Sequence, residues 1–135
     1  MTSKRTLTLG DVMTRSPLTI AMDATLTEAK AMMERLEIRH LPVMDGTLVE
    51  SVISLRDIER FTLPAHRISK EEELLVSDIL PTRAFAADIN DPLVRVVSIM
   101  AERQMSAVIV LEQGELAGIF TATDVCRVLA DLLGD

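Results

Sequence analysis

The sequence predicts an α/β fold of mixed α+β character: two β-α-β-β-α motifs related by a pseudo-twofold axis, with their sheets packed face to face and their helices outside. Three observations lead there. The apolar positions repeat at a fixed offset without a gap, and each half alternates strand-like and helix-like runs in the same order. The 135 residues, 48% hydrophobic, also suffice for a shared core. One such half would leave an apolar sheet face bare, and a second half covers it.

The offset is 67 residues, as between Asp57 and Asp124 (124 − 57). It aligns Val12 with Ile79, Met13 with Leu80, Leu18 with Phe85, Leu41 with Val108 and Ile53 with Phe120. Exact identities are few, among them Asp11/Asp78, Leu26/Leu93, Met33/Met100, Val43/Val110, Asp57/Asp124 and Arg60/Arg127. The matched apolar pattern therefore carries the repeat. The first motif, with its N-terminal segment, takes residues 1–63, a linker takes 64–73, and the second motif takes 74–135.

Each motif opens with a short helical turn, "LGDVM" or "VSDIL", followed by an extended piece, "SPLTIA" or "RAFAAD". An amphipathic helix comes next. In the first half Leu26, Ala29, Met32, Met33 and Leu36 share a face behind Thr25-x-x-Glu28, a capping-box pattern. In the second, Asp91-Pro92 supplies a cap and a first-turn proline ahead of Leu93, Val96, Val97 and Met100. Two strand-like runs joined by a tight polar turn follow, "LPVMDGTLVESVIS" and "AVIVLEQGELAGIFT". The closing helices are "LRDIERF" and "ATDVCRVLADLL". The linker carries a proline and the charge run Lys70–Glu73, which reads as a solvated helix start.

The composition excludes several function classes. With 14 basic against 21 acidic residues the net charge is −7, and no cluster of Lys and Arg is present to displace phosphate counterions. Three Phe with no Trp or Tyr give almost no base-stacking surface. Nucleic acid is not an expected direct partner. No apolar run approaches the ~18 residues of a membrane span, and the start "MTSKRTLTLGDVM" lacks an apolar signal region, so a cytoplasmic location is expected. The single cysteine, Cys126, falls in an apolar helical pattern and reads as a small buried hydrophobe. His40 and His66 stand apart from any Cys or His cluster, so neither has the setting of a metal ligand. No nucleophile motif, phosphate loop or Cys/His pair supports catalysis, and an enzyme is not expected.

One feature recurs where a strand gives way to a helix: Ser54-x-x-Asp57 and Thr121-x-x-Asp124. Taken alone this is a helix cap, in which the hydroxyl accepts a first-turn N–H and the carboxylate sits favourably at the helix dipole. The same place offers N–H groups to an anion, and a carboxylate there can accept both hydrogen bonds of a vicinal diol. The two readings can coexist.

Taken together, these residues resemble a known family. The run "IRHLPVMDGTLVESVISLRDI" (Ile38 to Ile58), its counterpart "MSAVIVLEQGELAGIFTATDV" (Met105 to Val125), and the opening "LGDVMTRSPLTI" are similar to the tandem CBS-domain pair, or Bateman module. The resemblance runs from about Leu9 to Leu133. It implies a stand-alone regulatory module binding an adenosine-containing nucleotide (AMP, ADP or ATP, with S-adenosylmethionine or NAD less expected) in clefts between the motifs. No cofactor is required. The output would act on a separate effector protein or on assembly state, with a homodimer expected. The alternative is a CBS pair that binds no ligand and serves as a structural dimerisation module.

Carried over position by position, the resemblance implies Asp57 and Asp124 for ribose hydroxyls and Ser54 and Thr121 for phosphate. Thr19, Ile20 and Ala21, with Ala86, Ala87 and Asp88 in the second half, would line the base pockets, and Pro42 and Ile109 would complete their walls. Arg39, His40, Arg56 and Arg60 surround the first site. Around the second, Ser106-Ala107 replaces Arg39-His40, Ile109 replaces Pro42 and Thr123 replaces Arg56, leaving Arg127 and Arg103 as its cations. The more phosphorylated ligand is therefore expected near Arg39 and Arg56, while Arg60 reads as a solvated helix residue. The first half also has Ser51 where the family and the second half (Gly118) have glycine. Leu129, Leu132 and Leu133 are candidates for a dimer surface or for the core.

Overall fold

The computed structural model describes residues 6–62, 74–80 and 84–134, so the linker 64–73, with His66 and Lys70–Glu73, lies outside the described residues. In chain order the elements are α1 (Leu9–Val12), β1 (Thr14–Arg15), β2 (Ile20–Ala21), α2 (Leu26–Leu36), β3 (His40–Asp45), β4 (Leu48–Ser54) and α3 (Leu55–Thr62). After a 3-10 turn at Val76–Asp78 come β5 (Ala86–Asp88), α4 (Leu93–Arg103), β6 (Ala107–Glu112), β7 (Glu115–Thr121) and α5 (Ala122–Leu133). The strands form two mixed sheets, β2-β3-β4 and β1-β7-β6-β5. Every element expected from the sequence within the described residues is present. β1 is additional, held antiparallel to β7 by the pairings Thr14 to Ile119 and Arg15 to Gly118.

The chain packs as two units whose limits differ from those of the repeat in the sequence. A central unit runs Leu18–Ala84, and a terminal unit joins Met1–Pro17 to Phe85–Asp135. Each motif's opening segment is thus part of the other motif's packing unit. In the terminal unit Leu9 N–H donates to Asp91 O (2.9 Å), Gly10 N–H to Ile89 O (2.8 Å) and Leu93 N–H to Leu7 O (2.8 Å). In the central unit the equivalent bonds are Val76 N–H to Ala24 O (2.8 Å), Ser77 N–H to Met22 O (2.9 Å) and Leu26 N–H to Leu74 O (3.0 Å). Leu9 and Val76, each fully buried, fill the corresponding place in the two cores. Gly10 is required for this docking, because a β-carbon there would stand 2.6 Å from Ile89 Cγ1.

Local chemistry fixes the element ends. Thr25 Oγ1 accepts Glu28 N–H at 3.0 Å and caps α2. Asp91 does not cap α4: its carboxylate accepts Asp88 N–H (3.0 Å) within the preceding turn, and Pro92 takes the cap position. α2 and α4 both end in the left-handed region, at Glu37 (φ 55°) and Gln104 (φ 54°). The two-residue hairpin loops differ. Gly46 (φ 63°) is the only positive-φ residue of the first, whereas Gln113 (φ 52°) and Gly114 (φ 82°) both have positive φ in the second, matching the II′ and I′ turns respectively.

Alternation along the strands divides each sheet into two faces. In the central unit Ile20, Leu41, Val43 and Ile53 pack with Leu26, Ala29 and Met33 of α2 and Ile58 of α3. In the terminal unit Ala87, Val108, Val110 and Phe120 pack with Leu93, Val96 and Met100. The opposite faces are buried too, by Pro42 and Val52 in one and Ile109 and Ile119 in the other. Pro42 shortens β2: Ile109 N–H donates to Phe85 O at 3.0 Å, and a proline at the equivalent place has no N–H to give. Gly118 accommodates β1, since a β-carbon would meet Thr14 O and Met13 Sδ at 2.6 Å each. Its counterpart Ser51 is 2% exposed, and its Oγ has no hydrogen-bond partner among the described residues.

Two expectations change. Cys126 is exposed, because α5 turns that side outward. Leu129, Leu132 and Leu133 are 52%, 67% and 78% exposed, so they do not finish the core.

Leu9→Ala should lower stability by about 2–5 kcal/mol, as for other buried leucines. Hydrogen exchange should show protection falling first in β6 and β7, although Leu9 belongs to the first motif by sequence. Earlier loss in β3 and β4 would contradict the exchange of opening segments. Ser51→Ala should be neutral or stabilising by about 1 kcal/mol in urea unfolding, because it removes an unpaired buried hydroxyl.

Candidate functional site

On the sheet face turned away from α2 and α3, the strand alternation lines up Thr19, Ala21, His40, Pro42, Val52 and Ser54. The registers place Ile20 beside Val43, Pro42 beside Val52 and His40 beside Ser54. The corresponding face of the terminal unit carries Ala86, Asp88, Ala107, Ile109, Ile119 and Thr121, with Ala86 beside Ile109 and Ala107 beside Thr121. Each face ends where a strand leads directly into a helix.

At the first junction Ser54 N–H (2.9 Å) and Oγ–H (2.8 Å) both donate to Asp57 Oδ2, while Asp57 N–H donates to Ser54 Oγ at 3.1 Å. This is a complete capping box, and it fixes the carboxylate through one oxygen. Oδ1 accepts no hydrogen bond among the described residues. Leu55 N–H is held by Arg39 O at 2.8 Å, which brings the start of β3 against the start of α3. Arg39 and Arg56 are exposed, and Ser54, Asp57 and His40 are half-buried.

At the second junction the same box is looser. Thr121 N–H (2.9 Å) and Oγ1–H (3.2 Å) donate to Asp124 Oδ2, and Asp124 N–H donates to Thr121 Oγ1 at 3.4 Å. Two further donors are present. Thr14 Oγ1 lies 3.2 Å from Oδ1 and 3.4 Å from Oδ2, and Arg127 Nη1 donates to Oδ1 at 2.7 Å. Asp124 is 4% exposed.

Two segments of the chain, residues 9–63 and 76–131, match the CBS domain family. The chain belongs to the CBS-domain family. Its paired domains are similar to CBS domain-containing protein YhcV of Bacillus subtilis, with 25% identity over 114 residues, 84% of this chain and 79% of that protein. They also match an A-adding tRNA nucleotidyltransferase of Geobacter sulfurreducens at 27% identity, over 89% of this chain but only 13% of that enzyme. Among solved structures, a protein of Vibrio cholerae assigned to acetoin utilization (AcuB) superimposes with a TM-score of 0.83 at 26% identity, covering 96% of this chain and 94% of that one. The CBS pair of MJ0100, in complex with 5′-methylthioadenosine and S-adenosyl-L-methionine, gives 0.82 at 20% identity, with 95% and 99% covered. CBSX2 in complex with AMP gives 0.76 at 22% identity, with 93% and 97% covered. The last two likenesses concern the fold.

Within this CBS fold the residues selected from the sequence separate into three groups. Thr19, Ala21, His40, Pro42 and Ser54 share one sheet face, as do Ala86, Ile109 and Thr121 in the other unit. Arg56, Asp57, Thr123 and Asp124 stand on the first helical turns that follow. Ile20 and Ala87 belong to the opposite, helix-packed faces and are core residues. Arg103 lies with its guanidinium 6.0 Å above the Phe85 ring, a cation–π distance, rather than at the Asp124 junction. Arg60 makes no ion pair with Asp57 among the described residues, in contrast to Arg127 with Asp124. Thr14 was not selected, although it stands in the opening "VMT" of the first motif. Its place at Asp124 depends on β1, a two-residue strand too short for any periodicity to announce. Among the described residues no group of His, Cys, Asp and Glu could hold a metal ion, and no helix is long and apolar enough to cross a membrane.

Burial pushes the pKa of His40 below its ordinary value of 6.5; the Asp57 carboxylate opposes the shift and the Arg39 guanidinium reinforces it. The unfolded chain therefore binds this proton at higher pH than the folded chain does. Stability falls as pH drops through 6.5 toward the lower folded value. Urea midpoints at about pH 7.5 and about pH 5.5 should differ more for the wild type than for His40→Gln. Equal differences would remove His40 from the acid response.

Proposed function

We propose that this CBS pair is a regulatory module that binds an adenosine-containing nucleotide of the AMP, ADP or ATP type, and that Asp57 receives the ribose. The observation that carries the reading is the half-used carboxylate of Asp57. One oxygen is fixed by Ser54, and the other accepts nothing among the described residues, on a face shared with His40 and Pro42. A vicinal diol needs such an acceptor, already oriented. A protein of net charge −7 also needs local cations to receive a phosphate, and Arg39 and Arg56 flank the junction as exposed guanidinium groups. The Ser54 hydroxyl donates its proton to Asp57 and the Leu55 and Asp57 N–H groups are already bonded, so the phosphate contact falls to the arginines unless that hydroxyl rotates. Thr19, Ala21 and Pro42 would flank the base. Neighbours of the same fold were solved with AMP and with S-adenosyl-L-methionine and 5′-methylthioadenosine, which supports an adenosine ligand.

On this reading the chain is not an enzyme and needs no cofactor. It senses a nucleotide in the cytoplasm and acts through a separate effector or through its own assembly state. A second reading, a structural dimerisation module, is favoured by one observation. The last two turns of α5 expose Leu129, Leu132 and Leu133 together, a surface suited to a second copy of the chain.

Thermal unfolding with AMP, ADP, ATP, S-adenosylmethionine and NAD in turn decides between the readings. A specific ligand at about 100 times its dissociation constant should add ~2.7 kcal/mol, and Asp57→Asn should abolish the gain. No shift with any of the five would leave the structural reading. Light scattering should give a dimer mass that Leu132→Glu with Leu133→Glu converts to monomer. An unchanged mass would clear α5 of that role.

A further inference from the structure

The two S/T-x-x-D junctions share a capping box and differ in everything else that touches the carboxylate. Asp124 accepts from Thr121 N–H, Thr121 Oγ1, Thr14 Oγ1 and Arg127 Nη1, so both of its oxygens are occupied. A carboxylate has about four lone-pair sites, and four donors fill them. Among the described residues Asp57 accepts from Ser54 alone. The difference has a source in the sequence. The residue 67 places after Thr14 is Pro81 (14 + 67), which lies outside the described residues and carries no hydroxyl. Arg60, the counterpart of Arg127, makes no ion pair with Asp57 among the described residues.

We infer that Thr14 and Arg127 form a latch that closes Asp124 to ligand, so that the chain binds one adenosine ligand, at Asp57, and uses its second junction structurally. The inference deepens the proposed function and rests on it. A ribose diol reaching Asp124 would have to displace the Arg127 bond, which is charge-assisted and roughly twice as strong as a neutral one. Arg127 is 65% exposed and could swing out alone. Thr14 is anchored differently: its backbone is paired to Ile119 in the sheet, so even when its hydroxyl rotates away β1 stays beside the carboxylate. The 4% exposure of Asp124 is thus maintained by a strand and not only by a surface ion pair. Asp57 is half-buried, and its free oxygen requires no displacement.

Calorimetric titration of the full chain with AMP, and separately with S-adenosylmethionine, reads the stoichiometry. One equivalent per chain is expected. Asp57→Asn should remove it, and the asparagine retains an amide oxygen for Ser54 N–H, with circular dichroism confirming the fold. Asp124→Asn should leave the affinity at the wild-type value. The double variant Thr14→Ala with Arg127→Ala should gain a second, weaker equivalent. Two equivalents in the wild type, loss of binding in Asp124→Asn, or no gain in the double variant would each overturn the latch and leave the nucleotide reading standing. Absence of heat with either probe, joined to no thermal shift with any nucleotide, would overturn the nucleotide reading and the latch with it.

Discussion

The structure depends on the exchange of opening segments between the two motifs. Leu9 and Val76 are fully buried in units to which, by the order of the repeat, they do not belong, and three backbone hydrogen bonds fix each segment in place. A β-α-β-β-α motif has one sheet face covered by its own helices, but the turn before its first helix leaves backbone groups that need partners. Ile89 O and Asp91 O in one unit, and Met22 O and Ala24 O in the other, receive theirs from the exchanged segment. Buried carbonyls without donors would be costly, so neither motif is complete without residues from the other half of the sequence. The two motifs are therefore bound to one another's folding.

The same exchange sets the difference between the two junctions. The opening segment of the first motif continues into β1, which pairs with β7, and β1 presents Thr14 to Asp124. Gly118 is the residue that lets β1 approach so closely, because any side chain there would collide with Thr14 O. In the central unit Ser51 stands at the equivalent place with its hydroxyl buried. The serine in place of glycine on β4 is thus a departure at the place where the terminal unit brings its extra strand close.

How much of this could be read in advance depended on the length of the signal. α2, α4, β3, β4, β6 and β7 are long enough for their periodicity to show, and each lies where the pattern put it. Short elements were legible only where chemistry marked them, as with Asp11 and Asp78, which accept the N–H groups of Thr8 and Leu75 at 2.9 and 2.8 Å. β1 has two residues and no mark, so it and the Thr14 contact were invisible. The capping role of Ser54 and Thr121 was legible from spacing alone. Which residues share a face was half legible. Strand alternation separates Ile20 from Thr19 and Ala21, whereas the family resemblance carries all three over as one stretch. Cys126 and the leucines of α5 fit an apolar helical pattern, but such a pattern does not say whether the face it describes meets the core.

Capping and ligand binding are usually weighed as competing explanations of S/T-x-x-D, but on the function proposed for Asp57 the first prepares the second. A free aspartate binding a diol must order its side chain and give up water, at a cost in affinity. Here Ser54 N–H, Ser54 Oγ and the start of α3 already hold one oxygen in place, so the orientation of the other is set before any ligand arrives. The ordering is supplied by folding, since the cap stabilises the helix whether or not a ligand is present. At Asp124 the same preparation has been carried further, with two more donors, until no acceptor capacity remains. The physical difference between the two junctions is therefore small: a hydroxyl and a guanidinium, placed by a strand of two residues and one turn of helix.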